Sequence, residues 1–211
     1  MELTHTPYLV AVVRAASIDE EIARLRDDDP DMIEYRADLV AACTPGNIAS
    51  GLTALRDAFS CPVLFTLRDA REGGEFDGDD ARREELIIGA LPLVDAVDIE
   101  FVNARVFQKL AGRLKQDNKV CVLSHHSFDG TPDDEELDNT VEYGAALGAD
   151  VVKIAAECRT PREALRLLTL PLHHPETAVA VIGMGEYGPA VRMVAPRFGS
   201  VLGYAPAGEN I

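Results

Sequence analysis

The chain has 211 residues, with 36 acidic against 20 basic side chains, a formal charge of −16 and 47% hydrophobic residues. Single α/β barrels begin at roughly 200 residues, so one domain over 1–211 is expected and no linker is needed. The acidic balance repels nucleic acid rather than attracting it. No apolar run approaches the roughly 20 residues that a membrane span requires, and Met1 to Pro7 lack the basic and apolar blocks of a signal peptide, which places the protein in the cytoplasm.

Apolar runs of strand length alternate with helix-patterned segments, the signature of repeated βα units on a parallel sheet. In chain order the strands read Tyr8 to Val13, Met32 to Arg36, Pro62 to Leu67, Ala96 to Phe101, Val120 to His125, Val151 to Ala155, Ala178 to Ile182 and Ser200 to Tyr204. Between them, apolar residues at helical spacing mark Ile18 to Arg26, Ile48 to Phe59, Asp80 to Leu91, Ala104 to Lys115, Glu135 to Leu147, Pro161 to Leu170 and a short Pro189 to Ala195. The pattern predicts an α/β fold, a (β/α)8 TIM barrel lacking its last helix. A doubly wound open sheet competes, but no Gly-x-Gly-x-x-Gly follows the first strand, so a nucleotide-binding fold loses support.

Cys43, Cys61, Cys121 and Cys158 are scattered, with no Cys-x-x-Cys pair and no His at ligand spacing. That argues against a metal site and against a disulfide framework; the thiols read as reduced and structural. The acidic surplus gathers in clusters such as Asp27 to Asp29, Asp77 to Asp80 and Asp133 to Glu136, at loops or helix starts, while Arg outnumbers Lys by 16 to 4. Solvated carboxylates with few lysines suggest adaptation to a high-salt cytoplasm, where their repulsion is screened. An ordinary acidic protein is the plainer alternative.

One of the four lysines, Lys153, sits within the apolar run Val151 to Ala156. Burial disfavours its ammonium and would make it a nucleophile able to form a Schiff base with a ketone. The plainer reading is a strand-end lysine that snorkels to water or pairs with Asp150. Strand residues two apart share a face, and in such a barrel chemistry sits at the carboxyl ends of the strands. Helices cover the outer face, so Glu34 and Arg36, Thr66 and Arg68, Asp98 and Glu100, Ser124 and His126, and Lys153 are expected to converge inside the mouth. His125 then faces outward. So many buried charges are costly unless paired and useful; a purely structural ion network is the alternative. Arg36 and Arg68 would disfavour the protonated lysine, and Glu34 would oppose them.

Five ordered motifs run through nearly the whole chain: Glu34-Tyr35-Arg36-Ala37-Asp38; Thr66-Leu67-Arg68 followed by Glu72-Gly73-Gly74; Ser124-His125-His126-Ser127-Phe128 with Thr131-Pro132; Val152-Lys153-Ile154-Ala155; and Gly183-Met184-Gly185 with Gly188 and Arg192. Through them the chain resembles type I 3-dehydroquinate dehydratase. The resemblance implies a cofactor-free barrel lyase that converts 3-dehydroquinate to 3-dehydroshikimate on the route to aromatic amino acids. It implies that Lys153 forms the imine, that His126 shuttles protons and that Glu72 orients the imidazole and raises its pKa. Glu34, Arg36 and Arg68 would hold substrate hydroxyls and organise the site, and Arg192 would grip the carboxylate with its guanidinium fork. A homodimer is the quaternary state to which the resemblance points.

The chain departs from that pattern at Ser127, where the family commonly has Asp or Asn, at His125, which replaces an aromatic, and at Val191, which replaces a small polar residue. It ends Ala205 to Ile211 where the family has a Ser-Ala-Pro-Gly-Gln lid and a final helix; Glu209 falls near the lid glutamine's place and is given no role. His173-His174 reads as a solvated loop at the opposite end from the site, and Gly73-Gly74 as a turn rather than a phosphate cradle. A class I aldolase and a non-catalytic barrel binding a polyhydroxylated acid are the competing functions.

Overall fold

A computed structural model of the protein describes residues 7–14, 17–26, 28–40 and 42–205. Eight strands form one sheet: β1 (Tyr8–Val13), β2 (Met32–Arg36), β3 (Val63–Thr66), β4 (Ala96–Glu100), β5 (Val120–Ser127), β6 (Val151–Glu157), β7 (Val179–Met184) and β8 (Leu202–Ala205). They lie in the order β7-β6-β5-β4-β3-β2-β1-β8, with every neighbouring pair parallel. Seven α-helices alternate with them: α1 (Ile18–Leu25), α2 (Pro45–Ala58), α3 (Asp80–Ala90), α4 (Ala104–Gln116), α5 (Asp134–Leu147), α6 (Pro161–His173) and α7 (Gly188–Val194). The expected TIM barrel is therefore the fold. Residues 206–211, with the lid segment and Glu209, lie outside the described residues.

The barrel closes between β7 and β8 without a regular ladder. Val201 N–H donates to the Val179 carbonyl at 3.0 Å, and the buried Ser200 hydroxyl accepts from Val181 N–H while donating to the Leu202 carbonyl. A side chain thus satisfies backbone groups that would otherwise be orphaned in the seam.

Local chemistry explains several helix starts. Thr160 and Glu163 form a capping box at α6, with Pro161 in the first turn. The Asp79 and Asp133 side chains accept the backbone N–H of Arg82 and Glu136 at the starts of α3 and α5. Part of two acidic clusters thus sits at helix N-termini, where the helix dipole favours negative charge.

The strand alternation sorts the side chains into layers. Outward residues such as Ile33, Tyr35, Phe65, Val97, Ile99, Cys121 and Leu123 pack with the helices, as do Val152, Ile154 and Val181 on the other side. Inside, Val10, Met32, Leu64, Ala96, Val122, Val151, Ala180 and Leu202 form an apolar floor. Two residues further along six of the eight strands the interior turns polar: Glu34, Thr66, Asp98, Ser124, Lys153 and Tyr204. This step from oil to charge within one barrel sets the position of the site.

Candidate active site

Lys153 lies in the middle of β6, only 2% exposed. Its Nζ is 2.6 Å from Asp98 Oδ2 and 3.7 Å from Glu34 Oε1. It also donates to the Tyr204 hydroxyl at 3.3 Å, with the Tyr204 ring centroid 5.1 Å away. The snorkelling alternative fails, because the amine is inside the barrel. The Asp150 pairing fails too: Asp150 Oδ2 accepts from Cys121 N–H at 2.8 Å.

Asp98 is the hub of the charge cluster. It accepts from the Ser124 hydroxyl at 2.6 Å and lies 3.3 Å from Arg68 Nη2. Burial would raise its pKa, but the Arg68 and Lys153 cations outweigh burial and hold the carboxyl below its usual range. Arg68 donates to Glu100 and Ser124, each at 2.9 Å. Burial works against its charge, yet Asp98, Glu100 and Glu34 hold its pKa above the ordinary guanidinium value. Glu34 accepts from the Thr66 hydroxyl at 2.6 Å.

The chain after β3 folds back as a short 3-10 turn, Ala70–Glu72, that carries Glu72 to the mouth. Two glycines make this path available. Gly73 has φ +76°, and a Cβ on Gly74 would lie 2.1 Å from the Arg68 carbonyl oxygen. Glu72 Oε2 accepts from His126 N–H at 3.0 Å and bonds His126 Nδ1 at 2.8 Å. Glu72 Oε1 is buried without a hydrogen-bond partner among the described residues. Desolvation, then repulsion from Glu100, pushes its pKa up to about 7 against the pull of Arg68.

The expected rise in the His126 pKa is corrected by its surroundings. Burial first, then the Arg68 and Lys153 cations, push it well below the ordinary value, with only partial opposition from Asp98. A partner whose own carboxyl titrates near neutrality supplies less fixed negative charge than an ordinary carboxylate.

Of the residues singled out from the sequence, Arg68 and Lys153 are joined through Asp98, Glu34 lies against Lys153, and Glu72 is joined to His126. Arg36 turns aside: its Nε and Nη2 donate to the two Asp38 oxygens at 2.8 and 2.7 Å. Arg192 is half-buried on α7 and has no ion-pair or hydrogen-bond partner among the described residues. His125 lines a separate cleft outside the barrel with Phe101, Glu136 and Tyr143, as the alternation predicted. The Ser127 hydroxyl donates to the Gly130 carbonyl at 2.8 Å, closing the loop after β5. His174, read as solvated, instead bonds Asp138 at 2.8 Å and ties α6 to α5. The sequence reading placed Asp98 and Ser124 on the inner face without roles and passed over Tyr204. Their shared layer with Lys153 was the signal.

A buried lysine ion-paired at the polar layer of a closed parallel barrel, with a histidine–carboxylate pair at the mouth, defines a (β/α)8-barrel enzyme. The type I 3-dehydroquinase family profile matches residues 9–210. The 3-dehydroquinate dehydratase of Methanothrix thermoacetophila is 35% identical over 202 residues, 94% of this chain and 82% of that protein. That of Haloquadratum walsbyi is 34% identical over 201 residues, 91% and 81% of the two chains. The crystal structure of 3-dehydroquinate dehydratase from Geobacillus kaustophilus superposes with a TM-score of 0.90 at 26% identity, covering 97% of this chain and 84% of that one. The chain belongs to the type I 3-dehydroquinase family.

Proposed function

We propose that this enzyme dehydrates 3-dehydroquinate to 3-dehydroshikimate through an imine on Lys153. The observation that carries the reading is the amine itself: nearly inaccessible, on an apolar floor, and ion-paired with Asp98 at the level where the barrel becomes polar. Condensation with the substrate ketone converts a carbonyl to an iminium, an electron sink that stabilises the carbanion formed when the neighbouring proton leaves.

His126 takes that proton and returns it to the departing β-hydroxyl. Its depressed pKa keeps the imidazole neutral and basic at the start, and makes the imidazolium a stronger acid for the second half. Ionised Glu72 accepts from Nδ1–H, which leaves Nε2 as the base. Glu34 and Arg68 organise the polar layer, Arg36 is clamped by Asp38 at the mouth to meet substrate hydroxyls, and unpaired Arg192 offers its fork to the carboxylate.

The test is borohydride reduction in the presence of 3-dehydroquinate, followed by peptide mass mapping. An adduct on Lys153, absent in Lys153→Ala and retained in a slowly turning-over His126→Ala, supports the division of labour. Equal loss of trapping in both variants would sink it, and cleavage into two fragments would point to an aldolase. The same reading has the protein working as a single-domain homodimer in a salt-rich cytoplasm. Sedimentation tests the dimer. A urea midpoint that fails to rise in molar KCl would refute the salt adaptation.

A further inference from the structure

Among the described residues, Tyr204 is the one hydrogen-bond partner of the lysine that is not a charge partner. It enters from β8, whose pairing with β1 sets Tyr204 beside Val10. The Lys153 ammonium donates to its phenol oxygen at 3.3 Å and lies over its ring. The phenol is also close enough to Glu34 for that carboxylate's charge to act on it. Glu34 is itself 3.7 Å from Lys153 and is fixed on its other side by Thr66. The amine, a hydroxyl that accepts from it and a buried carboxylate 3.7 Å from the same nitrogen are thus gathered in one cluster.

We infer that Tyr204 is a catalytic proton relay for imine formation, passing protons between Lys153 Nζ and Glu34. This rests on the imine reading above and adds to it a residue and a step. The problem it solves is set by the ion pair. An ammonium cannot attack, and its nearest partner, Asp98, is held ionised below the usual carboxylate range and is a poor acceptor for the proton.

In the step, Nζ gives one proton to the phenol oxygen as the phenol's own proton passes to Glu34. The free amine then adds to the ketone carbon, forming the C–N bond and opening the C=O π bond. A second proton moves from nitrogen to the new alkoxide oxygen. The proton stored on Glu34 returns through Tyr204 to that same oxygen, which leaves as water while the nitrogen lone pair closes the iminium. Ammonium plus ketone becomes iminium plus water, with nothing else consumed. Burial, then the Glu34 and Asp98 charges, hold the phenol pKa well above its ordinary value. The hydroxyl therefore never rests as an anion, and each proton it receives is matched by one it gives.

Tyr204→Phe removes the hydroxyl and keeps the ring over the ammonium. Wild type and variant are mixed with 3-dehydroquinate, quenched with borohydride at intervals, and the fraction of Lys153 adduct is read by intact mass. The expected result is capture slowed by about 10²-fold, the lower end of what a positioned proton-transfer group contributes, reaching the same final extent with an unchanged thermal midpoint. A 3-fluorotyrosine at position 204 separates relay from positioning, because it changes phenol acidity with the geometry preserved. A relay shifts the capture rate; a group that only holds the lysine does not. Capture by Tyr204→Phe at the wild-type rate, or an indifferent fluorotyrosine, would overturn the inference alone. No adduct in the wild type would overturn the imine reading and the relay with it.

Discussion

Replacing Glu72 with glutamine should remove a pH dependence of stability that runs opposite to that of an ordinary salt-bridged carboxylate. The side chain is 4% exposed, one of its oxygens is unpartnered, and its pKa is raised from 4.5 to about 7 by burial and by Glu100. A carboxyl whose folded pKa exceeds its unfolded one binds more protons in the native state. Its contribution to stability is complete below pH 4.5 and is lost as pH rises through 7. At about 1.4 kcal/mol per tenfold, the displacement corresponds to roughly 3 kcal/mol at most, and water reaching the open mouth brings it to about 2 kcal/mol. Glu72→Gln keeps an oxygen for the two His126 N–H groups and cannot ionise. Relative to wild type it should therefore gain about 2 kcal/mol between acid and mildly alkaline pH. Urea titrations of both proteins at matched ionic strength, from pH 4.5 to 8, measure that difference directly. A difference that stays flat, or that falls as pH rises, would show that the carboxyl is not held against ionisation and would refute the argument.

Catalysis should follow the same group with the opposite benefit. Protonated Glu72 would donate to Nδ1 and put the imidazole proton on Nε2, so kcat/KM should fall below pH of about 7, and Glu72→Gln should flatten that limb. Gly74→Ala should destabilise by about 1–3 kcal/mol and lower kcat as well, because relieving the clash with the Arg68 carbonyl moves the turn that carries Glu72. Urea midpoints and turnover check both effects, and a fully active, stable variant would contradict the packing. Arg192→Lys should raise KM about tenfold, or about 1.4 kcal/mol, with kcat nearly kept. A loss confined to kcat would assign Arg192 to another task.

The alternation of strand and helix was legible because hydrophobic period and length agree at nearly every element. β1 and β2 match their predicted bounds. The disagreements have local causes. Helix α2 begins at Pro45 rather than Ile48, since the Thr44 side chain accepts Asn47 N–H and hides a start behind Pro, Gly and Asn. Helix α6 runs through Pro171 to His173, a proline that periodicity alone would have ended it at. Predicted from Ser200, β8 starts at Leu202, because Ser200 spends its hydroxyl in the seam.

Within the site, period-2 alternation was enough to place Glu34, Arg68, His126 and Lys153 on one face. It could not choose a partner for the lysine among Asp98, Asp150 and Glu34. That depends on stagger between strands 50 residues apart in sequence, which no local pattern carries. The direction of the His126 pKa was missed for the same reason. It is set first by burial and then by the charges of Arg68, just beyond β3, and Lys153 on β6, rather than by the adjacent Glu72.

The seam between β7 and β8 makes assembly and competence one event. β8 joins the sheet by pairing with β1, so Tyr8 and Leu202 must meet across almost the entire chain. Such distant contacts form late, after local βα units have taken shape. Until β8 arrives the sheet stays open at β1, Lys153 lacks its phenol, and the floor beneath it is missing Leu202. A nascent chain that has not yet docked β8 accordingly holds the charged residues of the site without the phenol that β8 brings to Lys153.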